Sequence, residues 1–338
     1  MSARPVRLGF LAALAGLLAL LASGVFFYVR RPSLPWIGTK APEGVAPARL
    51  EAHVRYIAAA IPRDWDHTEN LDKIAAYVAR EFKASGGRVS EQVYSVPWWN
   101  QRNKKEIKGP FRNVIASFGP ETGERVVVGA HYDAFGPFPA ADDNASGAAA
   151  VLELARFLGK DPPPLRVDLV AYTMEEPPLF GTGFMGSARH AAGLKKEGVR
   201  VRAMLSLEML GFYSDLPGSQ DTPSVLMDLL FPDKGDFIGV VTNHASGSLA
   251  RPVRRAMSGF GLAVYSITAP PFVPGIDYSD HASFWTQGYP AAMVTDTAFF
   301  RNKNYHKPTD TPESLDYRRM AMAVEGSLRA IRDLAAGL

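Results

Sequence analysis

Five short stretches hold the side chains able to do chemistry. Residues 125–130 (RVVVGA) run into His131-Tyr132-Asp133. Residues 165–173 (LRVDLVAYT) run, after Met174, into Glu175-Glu176. Residues 201–207 end at Glu208. The loop after the first run carries Asp142-Asp143-Asn144, and residues 291–295 lead by a short loop to Tyr305-His306. In open α/β sheets, sites lie beyond the carboxyl ends of strands. Acids and imidazoles are costly to bury unpaired, so several of them converging on one sheet edge call for a cation. Oxygen and imidazole donors suit Zn²⁺ or a similar divalent ion. The chain has no cysteine, which removes thiolate ligands, a cysteine nucleophile and disulfides.

The donor set favours two ions over one. His131, Asp143, Glu176, Glu208 and His306 supply five ligands, three of them anionic. One zinc needs three protein ligands and a water, whereas two ions sharing a carboxylate, ~3.5–4 Å apart, need five. Glu175 is then left over. Neighbours leaving a strand diverge, so Glu175 need not ligate, and a free carboxylate beside a metal-activated water suits a general base.

The elements that position these groups follow from periodicity. Residues 88–96 alternate as a strand. Residues 113–118, 125–130, 165–173, 201–207, 237–241 and 291–295 read as strands, with the 125–130 run buried on both faces. Helices are expected over 71–84, 146–158, 187–193, around 249–259, and over 315–338. The alternation predicts an α/β fold in which a mixed, mostly parallel sheet is sandwiched by helices. Residues 98–110 and 216–236 interrupt the rhythm and read as insertions.

In order, the chain carries His131-Tyr132-Asp133, Ala141-Asp142-Asp143-Asn144-Ala145-Ser146-Gly147, Glu175-Glu176, Leu207-Glu208-Met209, Ser279-Asp280-His281 and Tyr305-His306-Lys307-Pro308-Thr309-Asp310-Thr311. The set resembles the co-catalytic di-zinc aminopeptidase family, which also holds glutamate carboxypeptidases, the transferrin receptor and glutaminyl cyclases. The resemblance covers about residues 50–335 and implies a zinc exopeptidase acting on peptides. It implies that Asp143, rather than Asp142, bridges the ions. His131 and Glu208 would complete one site, Glu176 and His306 the other. Glu175 would be the base, and Asp133 would orient His131. Many members have Asp where this chain has Glu208. The family often places a tyrosine near the Ser-Asp-His segment, where this chain has Tyr278. The rivals are a glutaminyl cyclase with one zinc and a non-catalytic receptor on the same fold.

The remaining polar residues have plainer readings. His53, His67, His190 and His244 lack an acidic strand-end context and read as structural. His281 follows Ser279-Asp280, but triad members come from distant chain positions, so packing or support of the site is expected. The glycines of residues 181–186 match G-x-G-x-x-G. Residues 175–180 separate them from the strand, so they read as a loop and not as a dinucleotide turn. Trp98-Trp99 read as surface packing.

Residues 8–29 are 22 consecutive residues without a charge, flanked by Arg4, Arg7, Arg30 and Arg31. As a helix they would span the ~30 Å hydrocarbon core, so a single N-terminal anchor is expected over 1–31, with the body exported. A cleaved signal would be shorter, and the apolar run continues past Ala22-Ser23-Gly24. Prolines at 32, 35, 42 and 47 suggest a linker over 32–47, followed by the catalytic domain over 48–338. The net charge of +3 resides in the N-terminal segment, because residues beyond 40 hold 32 basic and 34 acidic side chains. That balance offers nothing to nucleic acid.

Overall fold

The computed structural model describes residues 4–30, 43–100, 105–107 and 109–338. Most of the expected linker, residues 32–42, lies outside the described residues. The first helix, α1 (Arg4–Arg30), covers the uncharged run. Among the described residues, however, no helix is long and apolar enough to cross a membrane. The span expected over residues 8–29 is therefore not carried by the structure.

The chain joins the folded body at Glu43. The backbone N–H groups of Glu43, Gly44 and Val45 all donate to the Glu325 carboxylate, at 2.7–2.8 Å. Helix α2 (Pro47–Ala58) follows, with Pro47 at its first turn. There its fixed φ and missing N–H cost nothing. Sequence reading assigned Pro47 to the linker and overlooked this helix. Its apolar stripe of Leu50, Val54 and Ile57 is nonetheless buried.

Then come α3 (Thr68–Ala84), β1 (Arg88–Tyr94), β2 (Trp98–Asn100), β3 (Lys105–Ile107), β4 (Phe111–Phe118), β5 (Arg125–His131), α4 (Gly147–Lys160), β6 (Arg166–Tyr172), α5 (Gly186–Lys196) and β7 (Val201–Glu208). The chain continues through α6 (Val225–Asp228), β8 (Phe237–Thr242), α7 (Gly247–Met257), β9 (Ala263–Thr268), α8 (His281–Thr286), β10 (Ala291–Thr295) and α9 (Tyr317–Ala336). Strand β9 was missed in the sequence. It is an edge strand between Gly261 and Ala269 with only two buried residues. The insertion around Trp98-Trp99 is a small ribbon of β2 against β3.

Eight strands form one sheet in the order β1-β4-β6-β5-β7-β10-β8-β9. The centre is parallel: β5 with β6 and β7, and β7 with β10. Antiparallel pairs join β1 to β4, β4 to β6 and β10 to β8, with β8 and β9 parallel again. The expected mixed, mostly parallel sheet is what forms. Side chains alternate between faces. Val126 and Val128 pack with α4 and α9 on one face, while Val127 packs with Ala191 and Leu194 of α5 and Phe284 of α8 on the other. The chain leaves β5 for β6 on one side through α4, and then crosses to β7 on the other side through α5. This reversal opens a crevice at the carboxyl end of β5.

Candidate metal centre

His131 ends β5, and the following loop is held from behind. The buried Arg63 guanidinium donates to the carbonyls of Tyr132, Pro139 and Ala140. The turn Ala141–Ser146 is then fixed by bonds to distant segments. The Asp310 carboxylate accepts the N–H groups of Asp142 and Asp143. Asp142 itself is consumed, since it accepts from the Gly211 N–H at 2.9 Å and the Asn302 side-chain amide at 2.8 Å. Asn144 receives the N–H groups of Gly147 and Met209 and donates to the Leu207 carbonyl. Gly147 has to be glycine, because an added Cβ would lie 2.3 Å from that carbonyl. The Asp143 side chain is what remains to face the crevice.

Two strand ends turn sharply into the same space. Met174 and Met209, which follow β6 and β7 closely, adopt left-handed conformations with φ of 59° and 50°. Such strain in non-glycine residues costs on the order of 1 kcal/mol each and gathers at functional sites. Once Met174 has broken the strand, Glu175 and Glu176 no longer diverge as strand neighbours would. Their N–H groups both donate to the Asp133 carboxylate, at 3.2 and 3.1 Å. Asp133 also sits against His131, whose Nδ1 is 3.2 Å from its carbonyl and 3.6 Å from its carboxylate. Glu208 ends β7 and accepts from the Ser279 hydroxyl at 2.7 Å and the Asn144 amide at 3.2 Å. His306 is clasped between the rings of Tyr305 and Phe135, with centroids at 3.8 and 4.3 Å.

All six expected residues around the crevice meet. His131 Nε2 lies 3.5 Å from Asp143 Oδ1, 3.5 Å from Glu208 Oε2 and 3.8 Å from Glu175 Oε2. His306 Nε2 lies 3.1 Å from Asp143 Oδ2 and 3.3 Å from Glu176 Oε2. Three overlapping groups have the compactness of a cation site: His131–Asp143–Glu208, His131–Glu175–Glu176 and Asp143–Glu176–His306.

The electrostatics are those of an acid cluster in need of positive charge. Burial alone would raise the Asp143 pKa, but the two imidazoles overcome it and hold the carboxyl below its usual range. Burial, then Glu176, Glu208 and Asp280, push Glu175 well up against the pull of His131. Burial and Asp143 bring Glu176 to about 7, with His306 opposing. Burial disfavours charge on His306, yet its bonds to Asp143 and Glu176 raise it to about 10. His131 is raised in the same way by Glu208 and Glu175. Asp143 Oδ2, Glu176 Oε1 and His306 Nε2 are buried without a hydrogen-bond partner. Orphaned donor atoms in this number, on residues of this type, fit a divalent metal.

A cleft opens beside Glu208, Tyr278 and Tyr305 and runs along β8 and β9 to Met227 and Phe231. Residues 216–236, read as an insertion, wall its far end. Several of its polar residues are already engaged. Gln220 is bonded to Thr297 and Arg301, and Asp221 to Lys303. The cleft therefore presents an apolar interior. Elsewhere, His53, His67, His190 and His281 are taken by Tyr77, Asp64, Tyr172 and the Ile276 carbonyl. Sequence reading gave no role to Arg63, Asn144, Asp310, Ser279 or Tyr305. Four of these stand inside the quoted motifs, but the partners of Asn144, Asp310 and Ser279 are far away in the chain.

Residues 113–331 match Peptidase family M28. The chain belongs to that family. A relative from Escherichia coli (strain K12), "Uncharacterized protein YfbL", is 43% identical over 304 residues, covering 86% of this chain and 90% of that one. "Leucine aminopeptidase 1" of Ajellomyces capsulatus (strain G186AR) is 28% identical over 309 residues, covering 84% of this chain and 74% of that one. The fold is shared with a Zn-dependent exopeptidase from Parabacteroides distasonis, at a TM-score of 0.65 and 20% identity, covering 87% of this chain and all of that one. This M28 chain thus has a peptidase framework, and peptides are its substrate class.

Proposed function

We propose that this M28 peptidase is an aminopeptidase that holds two zinc ions per chain and prefers apolar first residues. His131, Asp143 and Glu208 would hold one ion, and Asp143, Glu176 and His306 the other. The observation that carries this reading is the Asp143 carboxylate, whose two oxygens face different imidazoles, at 3.5 Å from His131 and 3.1 Å from His306. Zinc in such a pair supplies Lewis acidity to water and to a peptide carbonyl.

The chain's own residues do the rest. Asp133 fixes the backbone of Glu175 and Glu176, so both carboxylates are aimed before substrate arrives. Glu175 takes the proton of the attacking water and returns it to the departing amine. Burial favours the protonated form it passes through. The cleft beside Glu208 receives an apolar side chain, since it offers no cation for an acidic one. An exported location for the folded body completes the reading, supported by the uncharged run of residues 8–29 between arginines.

The test is metal content by mass spectrometry together with turnover of aminoacyl-nitroanilides and N-blocked peptides, with and without chelator. About two zinc ions per chain, turnover of free-amine leucine or phenylalanine substrates, and its loss on chelation are expected. One zinc with cyclisation of N-terminal glutamine would make the chain a glutaminyl cyclase. Equal cleavage of N-blocked peptides would end the aminopeptidase reading.

A further inference from the structure

The aromatic rings beside the crevice form a connected arc. Tyr305 stacks on His306 with centroids at 3.8 Å, Phe299 meets Tyr305 at 5.5 Å, Tyr278 meets Phe299 at 6.1 Å, and Phe180 meets Tyr278 edge-on at 6.1 Å. The arc runs from one imidazole of the site to the loop that follows Glu175-Glu176. Tyr278, Phe299 and Tyr305 line the cleft, whereas Phe180 does not. Its ring stands outside the cleft, against Tyr278.

The local sequence fixes that ring. After Glu176 the chain closes a turn, with the Leu179 N–H donating to the Glu176 carbonyl at 3.1 Å. The Thr182 N–H and hydroxyl both donate to the Leu179 carbonyl, at 3.1 and 2.6 Å. The Leu179 side chain is fully buried in the main core, so the loop is pinned directly beside Phe180. Gly181 turns the chain away at a φ of 70°, and a Cβ there or at Gly183 would meet nothing within 4 Å. Phe180 is left 36% exposed and Tyr278 45% exposed. A lone exposed ring calls for no explanation. This pair borders the site and is ordered in advance, so a side chain laid against it gains contact at little entropic cost.

The direction of a bound peptide follows from the sheet. The cleft beside Glu208 runs along β8 and β9, to one side of β5, and Glu175 follows β6 on the other side. With the first side chain in the cleft, the departing amine lies toward Glu175, which protonates it. That amine belongs to the second residue, and Phe180 is on the loop at that end. We propose that Phe180, with Tyr278 behind it, seats the side chain of the second residue. Peptides with an aromatic or large aliphatic residue just after the cleaved bond are then the preferred substrates. The proposal rests on the aminopeptidase reading above.

The experiment follows release of free leucine by mass spectrometry from the tripeptides Leu-Phe-Ala, Leu-Leu-Ala and Leu-Gly-Ala, with enzyme kept in zinc. For wild type, kcat/KM on Leu-Phe-Ala should exceed that on Leu-Gly-Ala by about 10-fold, the lower end of what an apolar contact discriminates. This ratio is the readout, because it cancels any loss of folded enzyme. Phe180→Ala should bring it to within about 3-fold, and Phe180→Tyr, which keeps the ring, should hold it near the wild-type value. A wild-type ratio near one, or a ratio unchanged in Phe180→Ala, would overturn the proposal. A wild type that releases leucine from none of the three would remove the aminopeptidase reading, and the seat with it.

Discussion

Replacing Glu175 by Gln separates a base from a ligand. Glu175 is 5% exposed, and its backbone N–H is held by Asp133. Gln has the same shape, so packing is preserved. Burial and the carboxylates of Glu176, Glu208 and Asp280 raise the Glu175 pKa well above its ordinary value, so in the metal-free protein the residue is already inclined to be neutral. A neutral amide in its place should change stability by less than about 1 kcal/mol. The catalytic cost is of another order. General-base catalysis contributes about 10²–10⁴-fold, equivalent to roughly 3–5 kcal/mol on the barrier at 1.36 kcal/mol per factor of ten. The assay pairs kcat on leucine nitroanilide with zinc content and a thermal melt. Glu175→Gln should bind metal as wild type does, melt as wild type does, and lose at least about 100-fold in kcat. A variant that kept a tenth of the wild-type rate would remove Glu175 as the base. One that lost zinc along with activity would make it a ligand.

Two further outcomes are expected. Metal binding should release protons, because the raised imidazoles of His131 and His306 carry charge at neutral pH in the metal-free site and must give it up to ligate. Calorimetry in buffers of different ionisation heat should report net proton release near pH 7, and zinc affinity should fall as pH is lowered; pH-independent binding would contradict this. Asp168, buried between β4 and β6, has its pKa lowered: burial opposes this, but Ser117, Arg166 and Arg125 prevail. A carboxylate depressed on folding contributes stability above its unfolded pKa of ~3.9 that is lost as pH falls through the folded value. Asp168→Ala should cost about 1.5–3 kcal/mol at pH 7 by removing the charged acceptor of the half-buried Arg125 and Arg166, with the difference from wild type shrinking in acid; an unchanged urea midpoint at pH 7 would refute the argument.

The sequence by itself determined the fold class and the membership of the site. Buried strands write themselves as β-branched runs, and acids or imidazoles at their ends stand out because such residues are rarely placed beside a core. Residues 125–130, 165–173 and 201–207 showed this plainly, and seven strands and five helices lay within a few residues of where periodicity put them. Elements without a full pattern did not show. Helix α2 hid behind its proline, and β9 is a half-exposed edge with too few buried positions to alternate clearly.

Only the tertiary structure decided which of two adjacent acids faces the crevice. Asp142 and Asp143 are equivalent to any local rule. What separates them is that Asn302 and Gly211, 160 and 69 residues away, claim Asp142, while Asp310 holds the backbone of both. The same holds for Ser279 behind Glu208, for Arg63 behind the 132–140 loop, and for the cleft walled by residues 216–236. Periodicity records burial along one element. Hydrogen bonds between segments far apart in the chain leave no periodic trace, and these bonds set where each site carboxylate points.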